Sequence, residues 1–407
     1  MRISEVRELV QLRRPELDRT RRVLARCVTI DDLRAVARRR WPRGVRDYVE
    51  GGADAEISLR RNVDAYRNAD LVPAVLRDVS AVDLSTTLLG RPSAMPLGLG
   101  PTGYTRMMHP DGESAAARAA RAAGVPYTLS TMGTTRIEDV AAEAGGDLWF
   151  QLYVWRDRGL AADLMDRAQA SGYHALMLTV DTPVTGLRVR DAHSGFTLPP
   201  RLAPGALLDM GRHPAWCASL LRGKPITFAN FAPEVSGRAE NIMEFAARQF
   251  DRSLNWADLE WVRSRWPGPL IIKGILDPED AVRAAAVGVQ AVVLSNHGGR
   301  QLDQARPPIE ALPEVRARVG DDVQVFVDSG VRRGSDIALA LALGADGCLI
   351  GRAYLYGLGA AGEPGAAAAL QILRNELHRT MCLLGVTSVG ELRERGPQLL
   401  RRATPAP

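Results

Sequence analysis

Lysine is almost absent from this 407-residue chain: only Lys224 and Lys273 occur among its 52 lysine and arginine residues. A lysine inside an apolar segment is therefore an informative position here. Cysteine is also scarce, and its four copies are widely spread with no CxxC or zinc-ligand spacing. We therefore predict a reduced, cytoplasmic protein without a metal centre.

Long apolar runs are missing as well. No run approaches the roughly 18 residues that cross a bilayer, and the N-terminus has no signal-peptide core. The net charge of +5 comes from arginine, which is dense between Arg13 and Arg46. Because Asp31, Asp32 and Asp47 are interleaved there, we expect a solvated helical face and no nucleic-acid partner. Contact with anionic lipid stays open.

Eight short apolar segments alternate with alanine-rich stretches, mostly at intervals of roughly 20 to 30 residues, enough for one strand, one helix and two loops. This pattern predicts an α/β fold, a (β/α)8 TIM barrel, since a doubly wound sheet usually has fewer strands. The predicted strands are Pro96–Pro101, Pro126–Thr131, Leu148–Val154, Ala175–Asp181, Leu270–Ile275, Val292–Asn296, Val325–Ser329 and Cys348–Gly351.

Three parts are predicted outside the repeat. Residues 1–95 should form an N-terminal cap of two or three helices, and residues 394–407 a frayed tail, which leaves 96–393 for the barrel. Residues 182–258 form a long insertion after the fourth strand, and such loops are usually functional lids or partly disordered. Its exposed-looking apolar residues are Trp216, Leu220, Leu221, Phe228 and Phe231.

Residues 295–303 read SNHGGRQLD and follow the apolar run 291–294. His297 thus stands where a strand ends, two glycines allow a tight turn, and Arg300 follows. Active sites of TIM barrels are built at the C-terminal ends of the strands. A base beside an anion clamp suits proton abstraction from a small carboxylate substrate. A turn with a structural histidine is the alternative.

The segment Gly98–Gly103 is a literal GxGxxG at the end of the first strand. A dinucleotide site needs a helix that opens at these glycines and an acidic residue about 20 positions later. Pro101 interrupts the turn, and the next strand ends in Ser130-Thr131. A small-residue loop lying flat against a planar ring system fits better.

Other strand ends carry charge. Asp181 could pair with His297 and fix its tautomer, or it could cap a helix. Lys273, in an apolar strand, would stabilise negative charge on a reduced flavin, or it could reach the barrel rim. The loops 328–335 and 351–352 occupy the common phosphate site of TIM barrels.

Together these motifs resemble the FMN-dependent L-2-hydroxy acid dehydrogenase and oxidase family, from about Asp31 to Leu392. In length and insertion the chain is most similar to the bacterial quinone-dependent L-lactate dehydrogenases. The matching segments are DYVEGGA (47–53), PTG (101–103), MHPDGE (108–113), QLY (151–153), TVDTP (179–183), KG (273–274), SNHGGRQLD (295–303) and IGRA (350–353).

The resemblance implies a base, its partner and a carboxylate clamp. The residues so implied are His297 as base, Asp181 as its partner, Tyr153 facing the substrate hydroxyl, Arg300 with Tyr48 on the carboxylate, and Arg188 as a mobile second arginine. It also implies bound FMN. The implied FMN residues are Pro101, Thr102, Gly103, Ser130, Gln151, Thr179, Lys273, Ser295, Asp328, Ser329, Gly330, Arg332, Gly351 and Arg352.

Two positions depart from the common pattern: several members carry Ala where this chain has Gly103, and Ser329 replaces a common Gly. The expected reaction is oxidation of an L-2-hydroxy acid, with electrons passed to quinone or another acceptor. Hydride transfer and a carbanion route both require the same base. The alternatives are a soluble oxidase that uses O2, an isopentenyl diphosphate isomerase-like barrel, and a non-catalytic binding protein.

The resemblance further implies a homotetramer. The insertion's apolar residues lie among Arg201, Arg212, Arg222 and Lys224. Apolar residues among basic ones are typical of a surface that settles on an anionic membrane without spanning it. We therefore expect a cytoplasmic protein that is peripheral on the inner face of the membrane. Packing of the same residues against the barrel is the alternative.

Overall fold

The computed structural model describes residues 16–194, 204–222, 226–231 and 250–402. Strands β4 to β11 close into a parallel barrel in chain order, with β11 paired to β4. The predicted TIM barrel is confirmed, and each predicted segment overlaps one strand. The strands are β1 (Ala69–Leu71), β2 (Thr86–Leu88), β3 (Arg91–Ser93), β4 (Leu97–Leu99), β5 (Tyr127–Ser130), β6 (Leu148–Leu152), β7 (Ala175–Thr179), β8 (Leu270–Ile275), β9 (Ala291–Leu294), β10 (Gln324–Val327), β11 (Gly347–Ile350) and β12 (Leu400–Arg402).

Helices surround the barrel and build the cap. They are α1 (Arg19–Leu24), α2 (Ile30–Arg40), α3 (Arg43–Glu50), α4 (Ile57–Asp64), α5 (Gly112–Ala122), α6 (Ile137–Ala144), α7 (Arg158–Ala170), α8 (Val189–Ser194), α9 (Pro204–Gly211), α10 (Pro214–Arg222), α11 (Trp256–Arg265), α12 (Pro278–Val287), α13 (Pro308–Val319), α14 (Gly334–Ala342), α15 (Arg352–Ala361), α16 (Glu363–Leu384), α17 (Val389–Glu394) and α18 (Gly396–Leu399). None of the described helices is long and apolar enough to cross a membrane.

The barrel interior is a small apolar core of its own, formed by inward-facing strand residues and closed by Leu88 and Leu89 of the β2–β3 hairpin. Side chains two positions apart on a strand point to the same face. The polar side chains that end the strands therefore extend this interior at the C-terminal mouth. Ile271, for example, is an interior core residue, and Lys273 follows two positions later on β8.

The cap differs from the prediction of two or three helices. Four α-helices, α1 to α4, lie in the described part of residues 1–95. The chain divides there because Trp41 is the C-cap of α2 and Pro42 precedes α3, while Gly51 is the C-cap of α3. The boundary at residue 95 itself stays a prediction.

The predicted frayed tail is wrong for residues 396–402. Gly396–Leu399 is helical, and β12 pairs antiparallel with β1, Leu71 lying opposite Leu400. Leu399 is buried, and its carbonyl accepts a hydrogen bond from Val72 N at 2.8 Å. Burial of Leu399 and strand pairing stabilise this segment, although its basic composition suggested that it would be frayed and exposed to solvent. Residues 403–407 lie outside the described residues.

The described part of the insertion packs on the barrel more than its composition suggested. Phe228 and Phe231 are only 3% and 7% exposed, and Phe231 stacks on Trp155 with ring centroids 4.1 Å apart. The expectation that both are exposed is wrong, because both rings pack against other aromatic side chains. Trp216 is half-buried and donates from Nε1 to Met107 O at 2.8 Å. Arg201 and Lys224 lie outside the described residues.

Candidate active site

A row of buried polar side chains closes the top of the barrel interior on one side. Gln151 Oε1 accepts hydrogen bonds from Ser130 Oγ at 3.1 Å and from Thr131 N at 3.2 Å. Gln151 Nε2 donates to Thr179 Oγ1 at 3.0 Å. These bonds fix an amide and two hydroxyls between β5, β6 and β7, so the three predicted residues Ser130, Gln151 and Thr179 lie side by side.

His297 and Asp181 are brought together from strands β9 and β7, which are separated by β8. His297 Nδ1 lies 3.0 Å from Asp181 Oδ1. A carboxylate can only accept, so Nδ1 carries the proton and the neutral ring keeps Nε2 as an acceptor. Nε2 lies 3.5 Å from the Tyr153 hydroxyl. This arrangement leaves a base on the side of the site where Tyr153 stands.

The backbone that carries the histidine is left-handed over three consecutive residues: φ is 58° at His297, 68° at Gly298 and 74° at Gly299. Glycine adopts this region freely, whereas histidine does so at a cost. The two glycines of the motif therefore permit the turn. A non-glycine residue held in this conformation next to a cavity is typical of a functional position.

Lys273 is buried at the end of β8 and has two polar partners. Its Nζ lies 3.0 Å from Asp328 Oδ2 and donates to Ser295 Oγ at 2.8 Å. Burial acts to lower the pKa of Lys273, but the carboxylates of Asp328 and Asp181 outweigh it, so the pKa is raised. The ammonium therefore remains a fixed positive charge inside the barrel mouth.

Asp181 is half-buried, and burial acts to raise the pKa of its carboxyl. Interactions with His297 and Lys273 outweigh that effect, so the pKa of Asp181 is lowered. Tyr153 shows the opposite result, because burial raises the pKa of its phenol. Asp181 is thus an anion and Tyr153 a neutral hydrogen-bond donor under ordinary conditions.

Three arginines, Arg188, Arg300 and Arg352, lie at the rim between the cap and the barrel. Arg300 Nη1 donates to the Tyr48 and Gly51 carbonyls at 2.6 and 3.0 Å, and its guanidinium lies 4.9 Å from the centre of the Tyr48 ring. Arg188 lies 5.7 Å from that ring and is paired to Asp191 at 2.6 Å. Arg300 and Arg188 therefore flank one tyrosine of α3.

The arginines repel one another. Burial, and then the charge of Arg188, lowers the pKa of Arg300. Burial, and then the charge of Arg300, lowers the pKa of Arg352 to about 9. Guanidinium groups stay charged in proteins, so this cluster is relieved when an anion binds between them.

Arg352 was predicted to hold a cofactor phosphate, and the structure gives its guanidinium three carbonyl partners. Nε donates to Val49 O at 2.8 Å, Nη1 to Gly298 O at 2.9 Å and Nη2 to Gly51 O at 2.8 Å. Arg352 thus ties helix α3 to the turn after His297. Its assignment to phosphate stays a prediction.

The loop after β10 approaches the cap closely. A Cβ at Gly330 would lie 1.9 Å from Asn62 O, and the φ of Gly330 is 99°. Only glycine fits there. Arg332, two residues on, donates from Nη1 to Val331 O at 2.7 Å and lines the cavity.

All predicted cofactor residues except Gln151 and Ser295 line one cavity, together with Tyr48, Tyr153, His297 and Arg300. Gln151 and Ser295 form hydrogen bonds to lining residues, and Asp181 forms one to His297. The Arg188 guanidinium lies over the Tyr48 ring. Every predicted site residue therefore belongs to one constellation. Among the described residues, no cluster of three or more His, Cys, Asp or Glu is placed to hold a metal ion.

Two supporting residues escaped sequence reasoning. Asn62 and Asn296 are buried and exchange amide hydrogen bonds of 2.7 and 2.8 Å, which join helix α4 to the His297 turn. Asn296 lies inside the motif at 295–303 and could have been found there. Asn62 has no local signal, because its partner is far away in sequence.

The cavity fits FMN by its chemistry. The Gly98–Gly103 segment opens no α-helix, since α5 begins only at Gly112, and this argues against a dinucleotide fold. A Cβ at Gly103 would lie 3.0 Å from Met132 Cβ, so even an alanine there would require a small shift of its neighbour. A buried ammonium, a fixed amide row and half-buried guanidiniums match a flat, anionic, phosphate-bearing cofactor.

Comparison with known proteins decides the family. The family model described as FMN-dependent dehydrogenase matches residues 37–399. The chain belongs to the FMN-dependent dehydrogenase family. The predicted cofactor, FMN, and the predicted class, an FMN-dependent 2-hydroxy acid dehydrogenase or oxidase, are confirmed at that level.

This FMN-dependent dehydrogenase is 45% identical over 405 residues to a putative L-lactate dehydrogenase of Mycobacterium tuberculosis, covering 99% of this chain and 97% of that one. It is 47% identical over 367 residues to the L-lactate dehydrogenase of Caulobacter vibrioides, covering 89% and 95%. Among solved structures it is similar to the monotopic membrane protein (S)-mandelate dehydrogenase, with a TM-score of 0.88, 42% identity and coverage of 93% and 100%.

Proposed function

We propose that this FMN-dependent dehydrogenase oxidises an L-2-hydroxy monocarboxylate, most similar to lactate, to the 2-oxo acid. The observation that carries the proposal is the pairing of His297 Nδ1 with Asp181, which leaves Nε2 as a base in a cavity that also holds Arg300. The names of the relatives support a 2-hydroxy acid as substrate.

In this proposal Arg300 and Tyr48 bind the substrate carboxylate. One edge of the Arg300 guanidinium is held by the Tyr48 and Gly51 carbonyls, so the rest can meet a carboxylate plane. Arg188 adds a second charge from the insertion. Tyr153 donates toward the substrate hydroxyl, and His297 takes a proton while Asp181 stabilises the resulting imidazolium.

The residues that we propose to hold FMN are the predicted residues that line the cavity, together with Gln151 and Ser295. Bound FMN supplies a two-electron acceptor for the substrate. Lys273 would stabilise negative charge on the reduced ring, and Gln151, Ser130 and Thr179 would meet its polar edge. The loops at Asp328–Arg332 and Gly351–Arg352 would hold the phosphate through backbone N–H groups and arginine.

The substrate test is anaerobic bleaching of the flavin by a panel of L- and D-2-hydroxy acids. We expect an L-acid to bleach the flavin and its D-enantiomer to leave it oxidised. The amide and methyl ester of the same acid serve as matched controls, because they keep the hydroxyl and lose the charge. Equal bleaching by acid, amide and ester would refute the carboxylate clamp.

We further propose quinone as the electron acceptor and peripheral association with the inner face of the membrane. Two insertion helices carry exposed leucines beside exposed arginines: Leu208 on α9 is 63% exposed and Leu221 on α10 is 85% exposed, with Arg212 and Arg222 nearby. We name these four residues the leucine–arginine surface. Its composition fits an anionic interface, and the similar mandelate dehydrogenase is described as monotopic.

Two assays test this part. Turnover with a soluble quinone analogue should exceed oxygen consumption, and the protein should sediment with anionic but not with neutral liposomes. A Leu208→Ser/Leu221→Ser variant should lose sedimentation and keep quinone-analogue turnover, since neither residue lines the cavity. Oxygen turnover equal to quinone turnover, without liposome binding, would identify a soluble oxidase.

The resemblance also supports a proposed homotetramer. Light scattering of the purified holoenzyme measures its mass directly. A particle of four 44.1 kDa chains is expected, and a monomer would contradict the proposal.

A further inference from the structure

Ser329 has a backbone conformation that residues with a side chain adopt only at a cost in free energy. Its φ is 69°, in the left-handed region that favours glycine. A serine that is kept in this conformation costs stability unless its hydroxyl contributes something that glycine lacks. The hydrogen bonds of that hydroxyl must therefore account for the serine at this position.

The Ser329 hydroxyl makes two hydrogen bonds. It donates to Asp328 Oδ1 at 2.6 Å and accepts from Gly298 N at 3.0 Å. The first bond leads to Lys273, because Asp328 Oδ2 lies 3.0 Å from Nζ. The second leads into the turn that carries His297.

The network returns to the same turn from the other side. Lys273 Nζ donates to Ser295 Oγ at 2.8 Å, and that oxygen also accepts from His297 N at 2.9 Å. Two consecutive backbone N–H groups are therefore both held: His297 N by Ser295 and Gly298 N by Ser329. Together these contacts form one closed ring. We name the ring, formed by Ser295, Lys273, Asp328, Ser329 and the 297–298 backbone, the serine–lysine ring.

We propose that Ser329 is a positioning residue whose hydroxyl closes the serine–lysine ring and thereby holds the His297 turn in its left-handed conformation. His297 has a φ of 58° and sits directly before Gly298. A turn strained at a non-glycine residue persists when surrounding hydrogen bonds over-determine it. Of the five groups in the ring, Ser329 is the one that joins β10 to the turn after β9.

The ring couples the two groups on which the proposed reaction depends. Asp328 orients the Lys273 ammonium with one carboxylate oxygen and accepts the Ser329 hydroxyl with the other. Loss of that hydroxyl leaves Gly298 N without this acceptor and loosens the turn, which Ser295 and Arg352 then hold by themselves. The imidazole would then sample positions away from Asp181, although Asp181 and Lys273 themselves are unchanged.

The test compares Ser329→Gly with Ser329→Ala. Both variants lose the hydroxyl, but only glycine relieves the left-handed strain. Amide hydrogen exchange of peptides covering residues 295–300 is measured first, on apo-protein and on holoenzyme. We expect exchange at the His297 turn to be at least about tenfold faster in both variants.

Leu76→Gly is the matched control for strain relief, since Leu76 is fully exposed and its φ is 56°. It should raise the melting temperature and leave exchange at residues 295–300 unchanged. A glycine variant at 329 with wild-type exchange in the turn would overturn the proposal. So would opposite effects of Gly and Ala on exchange, because strain and not the hydroxyl would then decide it.

A kinetic arm rests on the proposed function. Loss of one net hydrogen bond should slow the limiting rate of flavin reduction by about 3- to 10-fold in both variants, with KM nearly unchanged because Arg300 and Tyr48 are untouched. Reduction at the wild-type rate would overturn the proposal. If the wild-type protein oxidised no 2-hydroxy acid, the proposed function would fail, and the exchange comparison would still decide the role of Ser329.

Discussion

At the scale of single residues, His297 combines a charged partner with a strained backbone. We expect His297→Gln to slow substrate-dependent flavin reduction by about 10²- to 10⁴-fold, the usual loss when a general base is removed. Flavin content should not change, because the turn is still held at its backbone N–H groups. Anaerobic stopped-flow absorbance measures the rate.

His297→Asn is the matched control for that experiment. Asparagine adopts the left-handed region more readily than glutamine and also lacks the base. Both variants should therefore be slow. A fast asparagine variant would mean that backbone strain, and not the lost base, accounts for the slow glutamine variant.

Arg300 donates to two carbonyls and lies over the Tyr48 ring, and the single ammonium of lysine cannot keep these contacts and also bind a carboxylate bidentately. Arg300→Lys should raise KM and also slow flavin reduction, because the substrate loses its bidentate partner and is no longer correctly oriented toward the flavin. Steady-state and stopped-flow kinetics with the free acid measure both effects. Arg67→Lys, an exposed replacement on the cap, should change neither.

At the scale of elements, one carboxylate joins the motif at 295–303 to the cap. Asp303 accepts hydrogen bonds from Ala55 N, Ile57 N and Ser58 N at 3.1, 3.2 and 2.8 Å, so it caps the start of α4. We expect Asp303→Ala to lower the free energy of unfolding by about 1–2 kcal/mol, as loss of an N-cap does. Urea denaturation of the apo-protein measures it.

The same cap predicts a pH dependence. Burial acts to raise the pKa of Asp303, but hydrogen bonds from Ser58, Ile57 and neighbouring N–H groups lower it below the ordinary 3.8. A lowered folded-state pKa means stability that is present above pH 3.8 and is lost as the pH falls further. The difference in unfolding free energy between wild type and Asp303→Asn should therefore shrink below about pH 4. A constant difference would contradict the capping role.

At the scale of the whole molecule, the last described strand is joined to a strand of the cap. Strand β12 pairs with β1, which leads from the cap toward the hairpin that closes the barrel bottom. Removal of residues 400–407 should lower the melting temperature by a few degrees and leave FMN content unchanged, since neither strand lines the cavity. Removal of 403–407 alone is the matched control and should have a smaller effect. Loss of FMN on the longer deletion would contradict this separation of stability from site.

The sequence by itself determined the barrel and the contents of its mouth. The barrel strands are short, continuous apolar runs that are buried on both faces, and the polar residues at their ends stand out against them. The end of β8 shows this: Ile271 faces the interior and Lys273 must face the same side. His297 and Asp181 could be paired in advance because every strand of a parallel barrel ends at the same face.

The tertiary structure alone decided which contacts hold that site in place. Arg352 bonds to carbonyls of the cap, Asn62 pairs with Asn296, and Ser329 closes a ring through Lys273. Burial of Phe228 and pairing of β12 were likewise invisible in the chain. The physical reason is that these contacts join residues far apart in sequence, whereas periodicity and motif spacing report only on near neighbours.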